Sequence, residues 1–193
     1  MIRVTINACI AILLVSMAHI SDAAAATGFY GAVDFGKAHH SDYNCRLIPP
    51  EFSCNTNANA ERIGVGYWVS KYFGMEANYG QLGSIKWSGT GRSPNPNVPG
   101  EGKITTLQFS VVVAVPLFET SLIFGKIGPT KKAIKIDNSV DTNVGISYGF
   151  GTQYNVSEKF AIRVQYEESP NTNNSTGIGA AFSFVSAGVV LRF

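Results

Sequence analysis

Apolar side chains alternate with small or polar ones in eight segments of the chain. The last segment ends on "AGVVLRF", in which Val189, Leu191 and Phe193 share one parity while Gly188 and Arg192 share the other. A period of two is that of a β-strand, whose successive side chains point to opposite faces. The pattern therefore predicts a strand that has one continuously apolar face and extends to Phe193.

Seven further segments repeat this alternation: "GFYGAVDFGKA", "RIGVGYWVS", "YFGMEANYGQ", "TLQFSVVVAVPL", "SLIFGKIG", "VGISYGFGTQY" and "KFAIRVQYEE". The closing strand is predicted to start near residue 178. Short turns are predicted around 70–72, 116–120 and 155–159, and long polar loops around 38–61, 82–102, 129–142 and 168–177. Because short and long connections alternate, we expect an antiparallel meander with all the long loops at one end.

Five charged residues within the segments lie on the face that is rich in glycine, serine and glutamine. They are Asp34, Glu76, Lys126, Arg163 and Glu167. The interior of a closed eight-stranded barrel is only wide enough for side chains, and this glycine-rich face suits it. The bulky apolar face then lies outside, in lipid, where a closed barrel satisfies every backbone hydrogen bond. The prediction is an all-β fold, an eight-stranded antiparallel up-and-down transmembrane β-barrel.

A soluble alternative reverses the two faces. A secreted lipocalin-like binder would bury the apolar face around a small ligand and expose the charged face to water. The requirement for detergent separates the two hypotheses.

The first residues predict export. Arg3 precedes an apolar stretch at 8–18, and Ala24-Ala25-Ala26 provides a small-residue cleavage site. The apolar stretch is too short to span a bilayer as a helix. We expect residues 1–26 to be a cleaved signal peptide and residues 27–193 to form the barrel domain.

Two cysteines remain after that cleavage, Cys45 and Cys54. An exported chain enters an oxidising compartment, so a disulfide between them is expected. The neighbouring His39 and His40 suggest a metal site instead, but adjacent residues point in different directions and no second spaced pair exists. Neither a metal site nor a cofactor is expected.

Composition narrows the class further. The chain is 45% hydrophobic and 15% charged, and no segment after residue 26 approaches the roughly 18 apolar residues of a membrane helix. A helical membrane protein is therefore excluded. The formal net charge of +2 does not indicate a nucleic-acid partner.

The opening "GFYGAVDFGKA", the hairpin "GYWVSKYFGMEANYGQLG" and the ending "AGVVLRF" carry a family resemblance. The sequence resembles the OmpA-like and OmpX-like eight-stranded outer-membrane β-barrels. This resemblance implies a bacterial outer-membrane location, in contact with lipid and lipopolysaccharide. It also implies that Val189, Leu191 and Phe193 present the assembly signal that the outer-membrane assembly machinery reads.

The resemblance also implies a network of ion pairs inside the barrel. Glu76, Lys126, Arg163 and Glu167 match that arrangement by strand and facing. Unpaired buried charge is costly, so residues of opposite sign should meet. Two interpretations stay open: the charges gate a narrow passage, or they only satisfy one another.

The expected function is structural or adhesin-like, through the external loops. In the predicted loop 129–142, Lys131, Lys132 and Lys135 are suited to lipopolysaccharide phosphates or an acidic host surface, although such a run is also typical of a solvated loop. The alternative of a small lipid-modifying enzyme would draw on His39, His40 and Ser41. No spaced catalytic partner follows them, so we do not expect an enzyme.

Overall fold

The structure is a computed structural model that describes residues 27–40, 53–55, 57–88, 100–136, 139–170 and 181–193. It contains the strands β1 (Gly28–His40), β2 (Ser53–Asn55), β3 (Asn57–Trp68), β4 (Phe73–Ser88), β5 (Gly100–Phe118), β6 (Ser121–Ile136), β7 (Ser139–Asn155), β8 (Phe160–Ser169) and β9 (Phe182–Arg192). No helix within these ranges has the length and apolarity needed to cross a membrane.

Eight long strands, β1 and β3 to β9, form a closed antiparallel barrel. Strand β1 pairs with β3 on one side and with β9 on the other, and the pairing of β4 with β5 completes the ring of strands. The three residues of β2 pair with β4 beyond the end of β3. The predicted eight-stranded up-and-down barrel is confirmed.

The connections fall into two groups, as predicted, except that only residues 137–138 separate β6 from β7. At one end, the tight turns 69–72, 119–120 and 156–159 join consecutive strands. The first is closed by bonds from the amides of Val69 and Ser70 to the carbonyl of Phe73. We call this the short-turn end, and the opposite end the long-loop end.

Strands at the long-loop end reach further than predicted, and the loop predicted at 129–142 is wrong. Strands β6 and β7 pair without a break from Lys131 opposite Val144 to Ile136 opposite Ser139. Inward and outward positions keep alternating there, because Lys132 and Ile134 are buried while Lys131 and Lys135 are exposed. The predicted loops 38–61 and 82–102 also shrink, since β1 extends to His40 and β4 to Ser88.

The outer wall of the barrel is apolar, as the alternation predicted. Phe29, Val65 and Phe150 are each about two-thirds exposed, at 66%, 64% and 64%. An exposed apolar surface of this extent is unfavourable in water and is expected of a wall that contacts lipid. We call the apolar part of this wall, which on β4 extends from Phe73 to Tyr79, the apolar belt.

Two apolar layers fill the ends of the interior. The short-turn layer contains Tyr30, Ala32, Trp68, Val112, Ala114, Leu122, Phe124, Ala161 and Val190. The long-loop layer contains Ala38, Ala60, Leu82, Ile104, Ile134, Phe182 and Phe184. Most of the other described interior side chains are polar or charged and lie between these layers. His40 and Ser169 lie level with the long-loop layer, and Asn155 and Arg192 level with the short-turn layer.

Inward-facing glycines make room for the large interior side chains. A Cβ atom at Gly66 would overlap the ring of Tyr30, and one at Gly188 would overlap the carboxylate of Asp34. The narrow interior therefore accommodates a bulky or charged residue on one strand because the position paired with it on the neighbouring strand is a glycine.

We predict that Val65→Arg, in the apolar belt, destabilises the barrel by about 2–4 kcal/mol, because the guanidinium would lie in hydrocarbon. Gln81→Arg is the matched control. Gln81 also faces outward, but lies beyond the belt, so its substitution should cost about 0–1 kcal/mol. Urea unfolding from lipid vesicles, followed by heat-modifiable migration on gels, measures the difference. Equal stability of the two variants would contradict the assignment of the belt to lipid.

Candidate functional site

Six charged side chains meet in the middle of the barrel. Five were predicted to face inward, and the sixth, Arg62 on β3, was not. All six are almost completely shielded from solvent: Asp34, Arg62, Glu76, Lys126, Arg163 and Glu167. The inward facing of Arg62 could have been found, because it shares the parity of Gly64, Gly66 and Trp68 in "RIGVGYW".

Asp34 is held between two arginines. Its Oδ1 accepts from Nε of Arg163 at 2.8 Å, and its Oδ2 from Nη2 of Arg163 at 2.6 Å. Nε of Arg62 also donates to Oδ2, at 3.2 Å. The two-point contact with Arg163 fixes the plane of the carboxylate as well as its position.

The other contacts link the remaining charges into a cycle. Arg163 Nη1 lies 2.6 Å from Glu76 Oε2, and Lys126 Nζ lies 3.7 Å from Glu76 Oε1. Lys126 Nζ also lies 2.7 Å from Glu167 Oε2, and Arg62 Nη1 lies 2.7 Å from the same oxygen. In this ionic ring, every charge therefore contacts two charges of opposite sign.

The ionic ring is neutral and is tied to both apolar layers. It contains three cations and three anions. The hydroxyl of Tyr30, in the short-turn layer, donates to Glu76 Oε2 at 2.9 Å, and the guanidinium of Arg62 lies 5.0 Å from the ring centre of Phe184, in the long-loop layer. Asn78 Nδ2 donates to Glu76 Oε1 at 2.9 Å. These contacts offset part of the desolvation cost of burying six charges.

The three lysines predicted in one loop do not form one patch. Lys131 and Lys135 lie on the outer face of β6, whereas Lys132 points into the barrel. Lys132 Nζ donates to the carbonyl of Ser169 at 3.3 Å and lies 5.3 Å from the ring centre of Phe182. The difference follows from the strand, which sends adjacent residues to opposite faces.

The residues considered for metal binding or catalysis are also separated by strand geometry. His40 is buried, with Nε2 3.0 Å from the carbonyl oxygen of Leu82, whereas His39 is exposed, with Nδ1 3.0 Å from Asn57 Oδ1. Ser41 and Cys45 lie outside the described residues, so the disulfide between Cys45 and Cys54 stays a prediction.

The predicted assembly-signal residues lie on the outer face of β9. Val189, Leu191 and Phe193 are exposed, and the amide of Phe193 donates to the carbonyl of Phe29 at 3.0 Å. Their recognition by the assembly machinery stays a prediction.

A closed antiparallel barrel with an apolar wall and an ion-paired interior defines an outer-membrane β-barrel. Residues 8–193 match the model of the outer membrane protein β-barrel domain family. The chain belongs to this family, and its location is the bacterial outer membrane.

Known proteins of this class are similar to the chain. Outer membrane protein A of Shigella flexneri is 24% identical over 196 residues, which cover 95% of this chain and 54% of that protein. The chain thus spans about half the length of this curated relative.

Two solved structures share the fold. Neisserial surface protein A superposes with a TM-score of 0.57 at 15% identity, covering 86% of this chain and 98% of that one. The N-terminal β-barrel domain of Pseudomonas aeruginosa OprF gives a TM-score of 0.54 at 12% identity, with the same coverage.

We predict that Glu76→Gln destabilises the barrel by about 3–5 kcal/mol, because it leaves Arg163 and Lys126 each with one fewer buried anion. The double variant Glu76→Gln/Lys126→Met removes one charge of each sign from the ionic ring. The four remaining charges still form a neutral series of ion pairs: Arg163, Asp34, Arg62 and Glu167. The double variant should be less destabilised than the sum of its two single variants. Urea unfolding of all four proteins measures this coupling, and strict additivity would contradict the cycle of contacts.

Proposed function

We propose that the protein is a structural barrel of the outer membrane that presents surface loops and does not form an open pore. The observation that carries this proposal is the ionic ring between two apolar layers. We expect no enzymatic activity, because His39 and His40 face opposite sides of the wall.

The apolar layers support a closed interior independently of the ring. Leu82 and Phe184 in the long-loop layer, and Ala161 and Val190 in the short-turn layer, have at most 1% of their surface exposed. An ion on this path would lose its hydration shell beside apolar side chains, at a cost of several kcal/mol. Breaking the ionic ring alone would therefore not open a path.

A role at the surface is supported by where the long connections lie. Residues 41–52, 89–99 and 170–181 join strands at the long-loop end, whereas the turns of the opposite end have two to four residues. Loops on a rigid scaffold commonly carry binding function. The partner we propose is a ligand on a host or neighbouring cell. The predicted signal peptide and disulfide fit an exported protein of this kind.

We predict that the wild type gives no steady conductance in planar bilayers under conditions where a porin of about 16 strands conducts. The variant Glu76→Gln/Lys126→Met should also stay closed, because both apolar layers are intact. A rise in conductance in this variant alone would show that the ring gates a passage. Steady conductance in the wild type would contradict the filled interior.

We also predict that replacing 42–51, 90–98 and 172–179 with short turns abolishes adhesion to cultured cells while the barrel still folds. The barrel should still fold because its strands pair with one another without these segments. The assay counts the adherent bacteria that express each form. Heat-modifiable migration on gels checks that each form has folded. A control with the short-turn connection 156–159 redesigned should adhere like the wild type. Undiminished adhesion of the loop-shortened barrel would contradict a role for the loops.

A further inference from the structure

His40 is a buried histidine at the long-loop end of the barrel. It has 1% of its surface exposed and lies level with the apolar side chains of the long-loop layer. On β1 the next outward residues after Phe35 are Lys37 and His39, so the apolar belt ends below His40. The imidazole therefore lies in the protein interior but beyond the hydrocarbon of the membrane.

Only one nitrogen of the His40 ring has a hydrogen-bond partner. Nε2 lies 3.0 Å from the carbonyl oxygen of Leu82, and because a carbonyl oxygen only accepts, Nε2 carries the hydrogen. Nδ1 has no hydrogen-bond partner among the described residues. The neutral ring therefore fits this site, whereas a protonated ring would have a second N–H group without an acceptor.

The charges near His40 disfavour a proton on its ring. Lys132 Nζ, from β6, lies 5.3 Å from the ring centre of Phe182, the residue paired directly with His40. The inward side chains that β3, β4, β5, β8 and β9 place at this level are uncharged: Ala60, Leu82, Ile104, Ser169, Phe182 and Phe184. Glu167 belongs to the ionic ring, and Asp141 on β7 is exposed, two residues beyond the partner of Lys132. A proton on His40 would therefore add a second positive charge at this level, with no buried carboxylate of the described residues beside it.

His40 lies in the part of β1 that has the fewest strand contacts. It is the last residue of β1 and pairs with Phe182 of β9, whereas the pairing with β3 ends at His39. Strand ends open locally at a lower free energy than the whole fold. Opening of this end would expose the imidazole to water while the pairing of β1 around Asp34 keeps the barrel closed.

We propose that His40 is an acid-sensitive switch: when it takes up a proton, the end of β1 at residues 38–40 separates from the long-loop layer and admits water to this end of the lumen. The short-turn layer stays in place. The switch therefore does not depend on whether the loops bind cells, and it does not make the barrel a pore.

The direction of the pH dependence follows from burial. Burial and the charge of Lys132 lower the pKa of the His40 imidazole below its ordinary value of about 6.5. The closed state therefore stays neutral at a pH where the open, hydrated state takes up a proton. The advantage of the closed state is complete above about pH 6.5 and decreases as the pH falls from there toward the lowered pKa. Uptake of one proton then makes the open state about tenfold more populated at pH 5.5 than at pH 7.5.

Amide hydrogen exchange of the protein folded in phosphocholine micelles tests the switch. Protection factors at 38–40 and 182–184, corrected for the intrinsic pH dependence of exchange, should fall about tenfold between pH 7.5 and pH 5.5. In His40→Gln they should not change with pH, because the glutamine amide donates to the Leu82 carbonyl but takes up no proton. The amides at 31–34 are the internal reference and should keep their protection in both proteins.

His39→Gln is the matched control, because it removes the adjacent histidine, which is exposed on the outer face. This variant should show the same tenfold fall in protection as the wild type. Protection that does not change with pH in the wild type, or a fall that His40→Gln retains in full, would overturn the proposal.

A measurement on the wild type alone does not depend on the folding of a variant. In the NMR signals of the ring, His40 should be neutral at pH 7.5, with its hydrogen on Nε2. It should take up a proton only together with the loss of protection at 38–40. Protonation of His40 while this protection stays intact would also overturn the proposal.

Discussion

The constraint on which the structure depends is that a chain in hydrocarbon must satisfy its own backbone hydrogen bonds. Closure meets this constraint, because β1 pairs with β3 and β9 and β4 pairs with β5. With eight strands, closure leaves a lumen only as wide as the side chains that fill it. Inward glycines such as Gly66 and Gly188 then make room for the large or charged residues paired with them on the neighbouring strand, Tyr30 and Asp34.

The ionic ring favours one register of the strands over the others. Replacing such a network by apolar residues is often neutral or stabilising, so burial of charge alone does not explain its presence. A slip of one residue in any strand would turn its inward charges toward lipid, however, and each would then cost up to about 2–4 kcal/mol. Correct pairing places the same charges in contact with partners of opposite sign. The ionic ring therefore lowers the free energy of the native register relative to registers that are shifted by one residue.

The fold and the facing of the charges could be predicted from alternation alone, because lipid outside and a narrow lumen inside enforce a period of two. Arg62 was missed because its segment was judged by its apolar face. The charge balance contained a signal, since the five predicted residues comprise three acids and two bases, and a neutral interior needs one more base. The loop at 129–142 was wrongly predicted because Pro129 and the lysine run resemble loop composition. Beyond the apolar belt, however, an outward lysine is compatible with a strand, and β6 continues.

The membership of the ionic ring has a consequence for how the barrel reaches its native state. Only Asp34 and Arg62 lie on neighbouring strands; the other contacts cross the lumen or pass over an intervening strand, as between Glu76 on β4 and Arg163 on β8. Two of these contacts, from Asp34 to Arg163 and from Arg62 to Glu167, join strands on opposite sides of the seam between β1 and β9. A sheet in which this seam is still open cannot form them. Closure of the seam therefore completes the ionic ring and removes water from its charges in the same step.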